Sequence, residues 1–147
     1  RRLFPARNYQ ATTLAGLQAT LLHYLKRDAQ EAIPVWRMLA LPVEHLERRA
    51  QAWVRRLTEA GVDARVIEGR STTGGGSLPG ESVPTCLAAI AVESPNEVAA
   101  RLRENEPPVI ARIENDLLCL DPRTVLPVQE QALLAAVLAS LQAREAE

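Results

Sequence analysis

Residues 85–121 read TCLAAIAVESPNEVAARLRENEPPVIARIENDLLCLD, and the order of elements in this stretch decides the fold. Thr85 to Val92 is apolar and partly β-branched, which predicts a buried strand. Ser94-Pro95-Asn96-Glu97 then carries a helix start, with Ser94 as cap, Pro95 at the first position and Glu97 closing a capping box. That helix should end near Asn105, before Pro107 and Pro108. Val109 to Glu114 and Leu117 to Asp121 read as two strands joined by Asn115-Asp116. Both turn residues tolerate positive φ, so the spacing predicts a tight hairpin.

Upstream, Val62 to Glu68 reads as another strand, with Val62, Ala64 and Val66 on one side. Before it, Val43, Leu46, Ala50, Trp53 and Leu57 step by three and four, an apolar stripe on a helix that Pro42 opens and Gly61 caps. Pro34 fits the first turn of a short helix through Met38 and Leu39. Leu14, Leu17, Leu21 and Leu25 mark a first helix, capped by Thr12 or Thr13 and running to about Lys26. It follows an irregular lead-in from Arg1 to Gln10, and a polar link from Arg27 to Ala32 separates it from the rest. Downstream, a last helix from about Val128 to Arg144 carries Leu134, Val137, Leu138 and Leu141 on one face. The order predicts an α+β fold: a small, largely antiparallel sheet covered by helices. Residues 1–32 are expected to form a lead-in and interdomain helix, and residues 33–147 a small domain.

Composition narrows the function. The chain has 147 residues, 47% hydrophobic and 24% charged, as expected of one globular domain with a real core. A net charge of −1 makes no case for nonspecific nucleic-acid binding, and 3% aromatic residues argue against a base-stacking platform. No apolar run is long enough to span a membrane and no signal-peptide pattern opens the chain, so a cytoplasmic setting is expected. The first residue is Arg1, which suggests a fragment or a processed chain. Cys86 and Cys119 make no disulfide framework and read as small buried apolar groups, and an approach of the two across the sheet is expected. Lys26 is the only lysine, so any Schiff-base chemistry must use it or lie outside this chain.

Several residues carry candidate chemistry. Gly74-Gly75-Gly76-Ser77 sits in a loop from Ser71 to Gly80, where backbone can approach an anion or another surface closely. No Gly-Lys-Ser/Thr follows, so it is not a P-loop. It is either a packing or interface turn or a ligand contact. His23 and His45 lack partners at metal-ligand spacing. Arg48, Arg49, Arg55 and Arg56 form a basic helix face, read either as solvated and balanced by Glu44, Glu47 and Glu59, or as an RNA phosphate contact. Arg112 and Arg123 stand in the hairpin region. An arginine fork there can clamp a carboxylate or phosphate, or pair internally with Asp121 or Glu114.

Taken in order, Thr13 to Leu21, Ile33-Pro34-Val35 through Met38-Leu39, Gly74 to Pro79, Pro107 to Ile113 and Leu120 to Val125 resemble the C-terminal part of bacterial selenocysteine synthases, the L-seryl-tRNA(Sec) selenium transferases. The resemblance runs from about residue 11 to residue 142. It implies the C-terminal small domain of a fold-type I enzyme dependent on pyridoxal phosphate. Such enzymes convert seryl-tRNA(Sec) to selenocysteinyl-tRNA(Sec) with selenophosphate as donor, and form cytoplasmic homo-oligomers with active sites between subunits. The family's cofactor lysine precedes the region matched here, and Lys26 has no matching context, so the chain alone is expected to be inactive. The resemblance also implies two anion-holding arginines before the first helix. Aligned without a gap they fall on Pro5 and Asn8, and a one-residue shift restores Arg7 only. Arg7, Arg112 and Arg123 are therefore the substrate-binding candidates, and Gly74 to Ser77 the interface or active-site loop. Two other readings use the same residues: a truncated, non-catalytic binding or assembly module, and the small domain of a related pyridoxal-phosphate lyase.

Overall fold

A computed structural model describes residues 6–72 and 81–142, and only the backbone of residues 6–10. The chain divides into two compact units, Arg1–Ala40 and Leu41–Glu147.

The first unit holds helices α1 (Ala6–Lys26), α2 (Ala29–Ala32) and α3 (Pro34–Ala40). Helix α1 corrects the expected start, because residues 6–10 are already helical and Thr12 and Thr13 lie inside the helix. It closes with a Schellman pair: Arg27 N–H donates to Tyr24 O and Asp28 N–H to His23 O, each at 3.2 Å. Arg27 takes the left-handed conformation there, φ 62°. His23 Nδ1 lies 2.9 Å from Asp28 Oδ1, a carboxylate partner that the sequence pattern did not suggest.

The second unit is the α+β domain. Helix α4 (Val43–Glu59) buries Leu46, Ala50, Trp53 and Leu57, the stripe read from the sequence. Gly61, at φ 83°, ends it. Strands β1 (Ala64–Thr72), β2 (Ser82–Ala91), β3 (Arg112–Glu114) and β4 (Leu117–Leu120) form one sheet in the order β1-β2-β4-β3, with every pairing antiparallel. Asn115 (φ 50°) and Asp116 (φ 59°) make the predicted β3–β4 turn. The strand expected from Val109 shortens to Arg112–Glu114. Val109 and Ala111 are buried all the same, packed into the core ahead of the first paired residue. Helix α5 (Pro95–Glu104) starts where Pro95 predicts, but Ser94 makes no side-chain capping bond. Helix α6 (Glu130–Gln142) follows two 3-10 turns, Pro122–Thr124 and Pro127–Gln129.

Strand alternation sorts β2 onto two faces. Ala88 and Ile90 join Leu118, Leu120, Trp53, Leu57, Val98, Leu102, Leu134 and Val137 in the main core. Leu87 and Ala89 point the other way and gather with Cys119, Ile67 and Leu117 in a second, smaller cluster. The candidate site is built on this second face.

Candidate functional site

Strand register brings the site together. Ser71 pairs with Val83, Thr85 with Gly69, Ala89 with Cys119, and Cys119 with Arg112. Side chains two residues apart share a face, so Ser71, Thr85, Arg112 and Asp121 converge beside Leu87. The Asp121 carboxylate accepts from Ser71 Oγ at 2.6 Å, Thr85 Oγ1 at 2.9 Å and the Arg123 backbone N–H at 3.0 Å. The last of these bonds caps the 3-10 turn from Pro122 to Thr124. Asp121, Ser71 and Thr85 are all buried.

Arg112 lies across this group. Its Nη1 donates to the Arg70 carbonyl at 2.7 Å. Its Nε is 3.0 Å from Glu114 Oε1, and its Nη2 is 3.7 Å from Asp121 Oδ2. Gly69 makes room: a Cβ there would stand 2.6 Å from Leu87 Cδ1 and 3.4 Å from Arg112 Nη2. The Arg112 side chain is 31% exposed, but its Nε and Nη2 atoms are buried and make no well-aligned hydrogen bond. Chemically, the Asp121 carboxylate has its acceptors occupied, while Arg112 Nε and Nη2 meet Glu114 and Asp121 as ion pairs without well-aligned hydrogen bonds. An incoming phosphate or carboxylate would compete with Glu114 for Arg112, exchanging one charge-assisted contact for another.

Arg123 is buried, with Nη2 donating to Pro84 O at 2.6 Å and Nη1 to Leu41 O at 3.2 Å. Burial lowers its pKa from the usual guanidinium value, and the nearby Asp121 charge opposes that shift. Arg123 therefore ties the start of α4 to β2 and to the end of the hairpin. The side chain of Arg7 and the loop from Gly74 to Ser77 lie outside the described residues.

Two features were missed in the sequence. Arg49 does not belong to a solvated basic face. Its Nε, Nη1 and Nη2 donate to Glu130 Oε1, Pro122 O and Val125 O, each at 2.7 Å, and its guanidinium sits 5.7 Å from the Trp53 ring centroid. Arg48, Arg55 and Arg56 remain exposed. Only the apolar stripe on either side of Arg49 marked its position on the helix. The second feature corrects the expected approach of the thiols. Cys119 stands opposite Ala89, three residues from Cys86, so the two thiols lie on opposite faces of the sheet. Burial raises the Cys86 pKa, with Glu47 and Glu68 adding to the shift. Burial raises that of Cys119 as well, reinforced by Glu114 and countered by Arg112. Both are therefore neutral, weakly nucleophilic thiols at physiological pH.

A cofactor aldehyde would need a lysine in a desolvated pocket. Lys26 is exposed on the last turn of α1 and is not desolvated there. Among the described residues no cluster of metal-ligating side chains forms, and no helix is long and apolar enough to cross a membrane.

Fold and site together define a small α+β domain whose polar network stabilises one sheet face. The family model for L-seryl-tRNA selenium transferase (SelA) matches residues 6–126. The chain is 41% identical over 118 residues to the L-seryl-tRNA(Sec) selenium transferase of Hyphomonas neptunium, covering 78% of this chain and 26% of that protein. It is 39% identical over 132 residues to that of Geobacter sulfurreducens, covering 85% of this chain and 28% of the relative. The enzyme of the same name from Carboxydothermus hydrogenoformans is 41% identical over 118 residues, 78% of this chain and 25% of its own length. The chain belongs to the L-seryl-tRNA selenium transferase family, as a C-terminal part of such an enzyme. It spans about a quarter of the length of these relatives.

Proposed function

We propose that this chain is the C-terminal domain of an enzyme that converts seryl-tRNA(Sec) to selenocysteinyl-tRNA(Sec) with selenophosphate. The observation carrying the reading is the family match over residues 6–126, which takes in both structural units. In this reading pyridoxal phosphate is held by a lysine outside this chain and supplies the electron sink for removing the seryl hydroxyl. The exposed position of Lys26 supports that division of labour. The enzyme is a cytoplasmic homo-oligomer, and this domain helps to close its active-site cleft. The chain alone is inactive.

Within the domain, Arg112 is the residue proposed to meet substrate, because its side chain is partly exposed and its Nε and Nη2 lack hydrogen-bond partners. Arg123 is a positioning residue, because it holds the backbone of Pro84 and Leu41 on either side of the Asp121 cluster. Arg7 and the loop from Gly74 to Ser77 complete the proposed contacts.

The test is reconstitution of the complete enzyme carrying this domain, with seryl-tRNA(Sec), selenophosphate and pyridoxal phosphate. Selenium should appear in the aminoacyl-tRNA. A folded, cofactor-loaded enzyme that transfers none overturns the reading. In the same assay Arg112→Ala should raise KM for the aminoacyl-tRNA by about tenfold, the equivalent of one charge-assisted contact. Arg112→Lys should recover part of the loss. Unchanged KM and kcat would assign Arg112 wholly to the Asp121 lattice.

A further inference from the structure

Arg49 and Arg112 each face a glutamate, and only Arg49 is satisfied. Arg49 donates from Nε, Nη1 and Nη2 to three acceptors, each at 2.7 Å. Arg112 makes one such bond, from Nη1 to the Arg70 carbonyl. Its Nε and Nη2 are buried without a well-aligned hydrogen bond, although Glu114 Oε1 lies 3.0 Å from Nε and Asp121 Oδ2 lies 3.7 Å from Nη2. Buried donors in that state cost stability. Nε and Nη2 also form one edge of the guanidinium, with two parallel N–H groups that fit two oxygens of a carboxylate or phosphoryl group.

The two carboxylates beside this edge differ in how they are held. Asp121 is fixed, because Ser71, Thr85 and the Arg123 backbone N–H all donate to it and spread its charge. Glu114 is not. It ends the three-residue strand β3, its side chain is 37% exposed, and Arg112 is its ion-pair partner. It can therefore turn outward into water without moving the sheet. No helix residue belongs to the apolar cluster on this face, so the outward path crosses no packed helix. Gly69 keeps a Cβ away from Nη2 on the other side.

We propose, building on the substrate role proposed for Arg112, that Glu114 is a displaceable counterion that reserves the Nε–Nη2 edge for a phosphoryl group. A second carboxylate gains nothing over the one already in place. A terminal phosphoryl group carries up to two charges and three strong acceptor oxygens, so it can take the edge and release Glu114 to solvent. Glu114 is thus a specificity-determining residue, and Arg112 the group that binds.

The test is titration of the ¹⁵N-labelled 147-residue chain with inorganic phosphate or acetate, at pH 8 and constant ionic strength. The signal followed is the Arg112 Nε–H, identified by its loss in Arg112→Lys. Phosphate should shift it saturably, and acetate should bind at least about tenfold more weakly. Glu114→Gln should tighten phosphate at least about tenfold and narrow the gap to acetate. Glu114→Ala, which also removes the charge, should do the same. Unchanged backbone amide signals from β3 and β4 would show that the hairpin is intact in either variant. No shift in any form overturns the proposal, because the edge then takes no oxyanion. Equal phosphate affinity with and without the Glu114 charge overturns it, since Glu114 then holds nothing back. Acetate binding as well as phosphate to the unsubstituted chain overturns the selectivity. These outcomes are read without selenium transfer. If they come out as expected while Arg112→Ala leaves turnover of the complete enzyme unchanged, the counterion stands and the substrate role of Arg112 falls.

Discussion

Helices α1 and α4 each carry large apolar residues at helical spacing and meet opposite fates. Leu46, Ala50, Trp53 and Leu57 of α4 are no more than 1% exposed, while Leu14, Leu17, Leu21 and Leu25 of α1 are all more than half exposed. Both helices end in the same hydrogen-bond pattern: Gly61 N–H to Thr58 O and Val62 N–H to Leu57 O repeat what Arg27 and Asp28 do in α1. Local sequence chemistry is thus equally well formed in both. The difference lies in what stands opposite. The α4 stripe meets the main core face of β2, supplied by its own unit, and the α1 stripe is left uncovered by α2 and α3 of its own unit. Periodicity announces that a face is made to be covered and says nothing of who covers it.

Truncation separates the two helices most sharply. Trp53→Ala should cost the sheet domain about 3–5 kcal/mol, through lost burial and the cavity left behind. Leu21→Ala should leave that domain's stability within about 0.5 kcal/mol, as expected of an exposed site. Urea unfolding followed by circular dichroism checks both. Equal losses would mean that the α1 stripe is part of the same core.

The polar cluster comes next in size. Asp121→Ala leaves two buried hydroxyls and a backbone N–H without their acceptor, and should cost about 2–3 kcal/mol. Asp121→Asn keeps an acceptor oxygen and should cost less. If the two variants unfold at the same urea concentration, the cluster depends on the charge of Asp121 and not on its acceptor geometry.

The two thiols give a pH-dependent version of the same contrast between buried and exposed. Both folded-state pKa values lie above the ordinary thiol value of 9.0. Between the unfolded and folded values the native state binds more protons than the unfolded state, so stability falls as pH rises through that window. Below the window this contribution is fully present. Melting temperature should therefore hold steady from neutral pH up to the thiol range and decline above it. The Cys86→Ala/Cys119→Ala double variant should show a shallower decline. Thiol-reactive reagents at pH 8 should label the native chain far more slowly than the urea-unfolded chain.

How much of this was legible in the sequence follows from the range of each interaction. The β3–β4 hairpin was readable because Asn115 and Asp116 hold the needed φ values locally. The α4 stripe was readable because a helix repeats its own face. The beginning of α1 was not, since Ala6 to Gln10 lack the apolar period of the residues that follow. Arg49 looked like one of four basic residues, and only its distance partners, Pro122, Val125 and Glu130, distinguish it. The opposite faces of Cys86 and Cys119 depend on a register set by strands far apart in the chain. For the site, Arg112 and Arg123 were found by residue type and position in the hairpin. Ser71 and Thr85, which complete the Asp121 cluster, were not, because a hydroxyl carries no signal until a fold brings it to a carboxylate.

The smallest expected effect tests whether the matching helix ends are equal in energy as well as in pattern. Gly61 takes its left-handed φ of 83° at no steric cost, whereas Arg27 takes φ 62° with a Cβ pressed toward the following carbonyl. Gly61→Ala should therefore destabilise the sheet domain by about 1 kcal/mol. Arg27→Gly should raise the helical signal of α1 by removing the same penalty. The gain should be smaller than that, because the glycine also loosens the unfolded chain. Thermal melts of the two variants, read against the unsubstituted chain, should move in opposite directions. Parallel shifts would mean that Arg27 contributes a favourable contact through its side chain that outweighs its backbone strain, and α1 would then be anchored at its C-terminal end by more than its Schellman bonds.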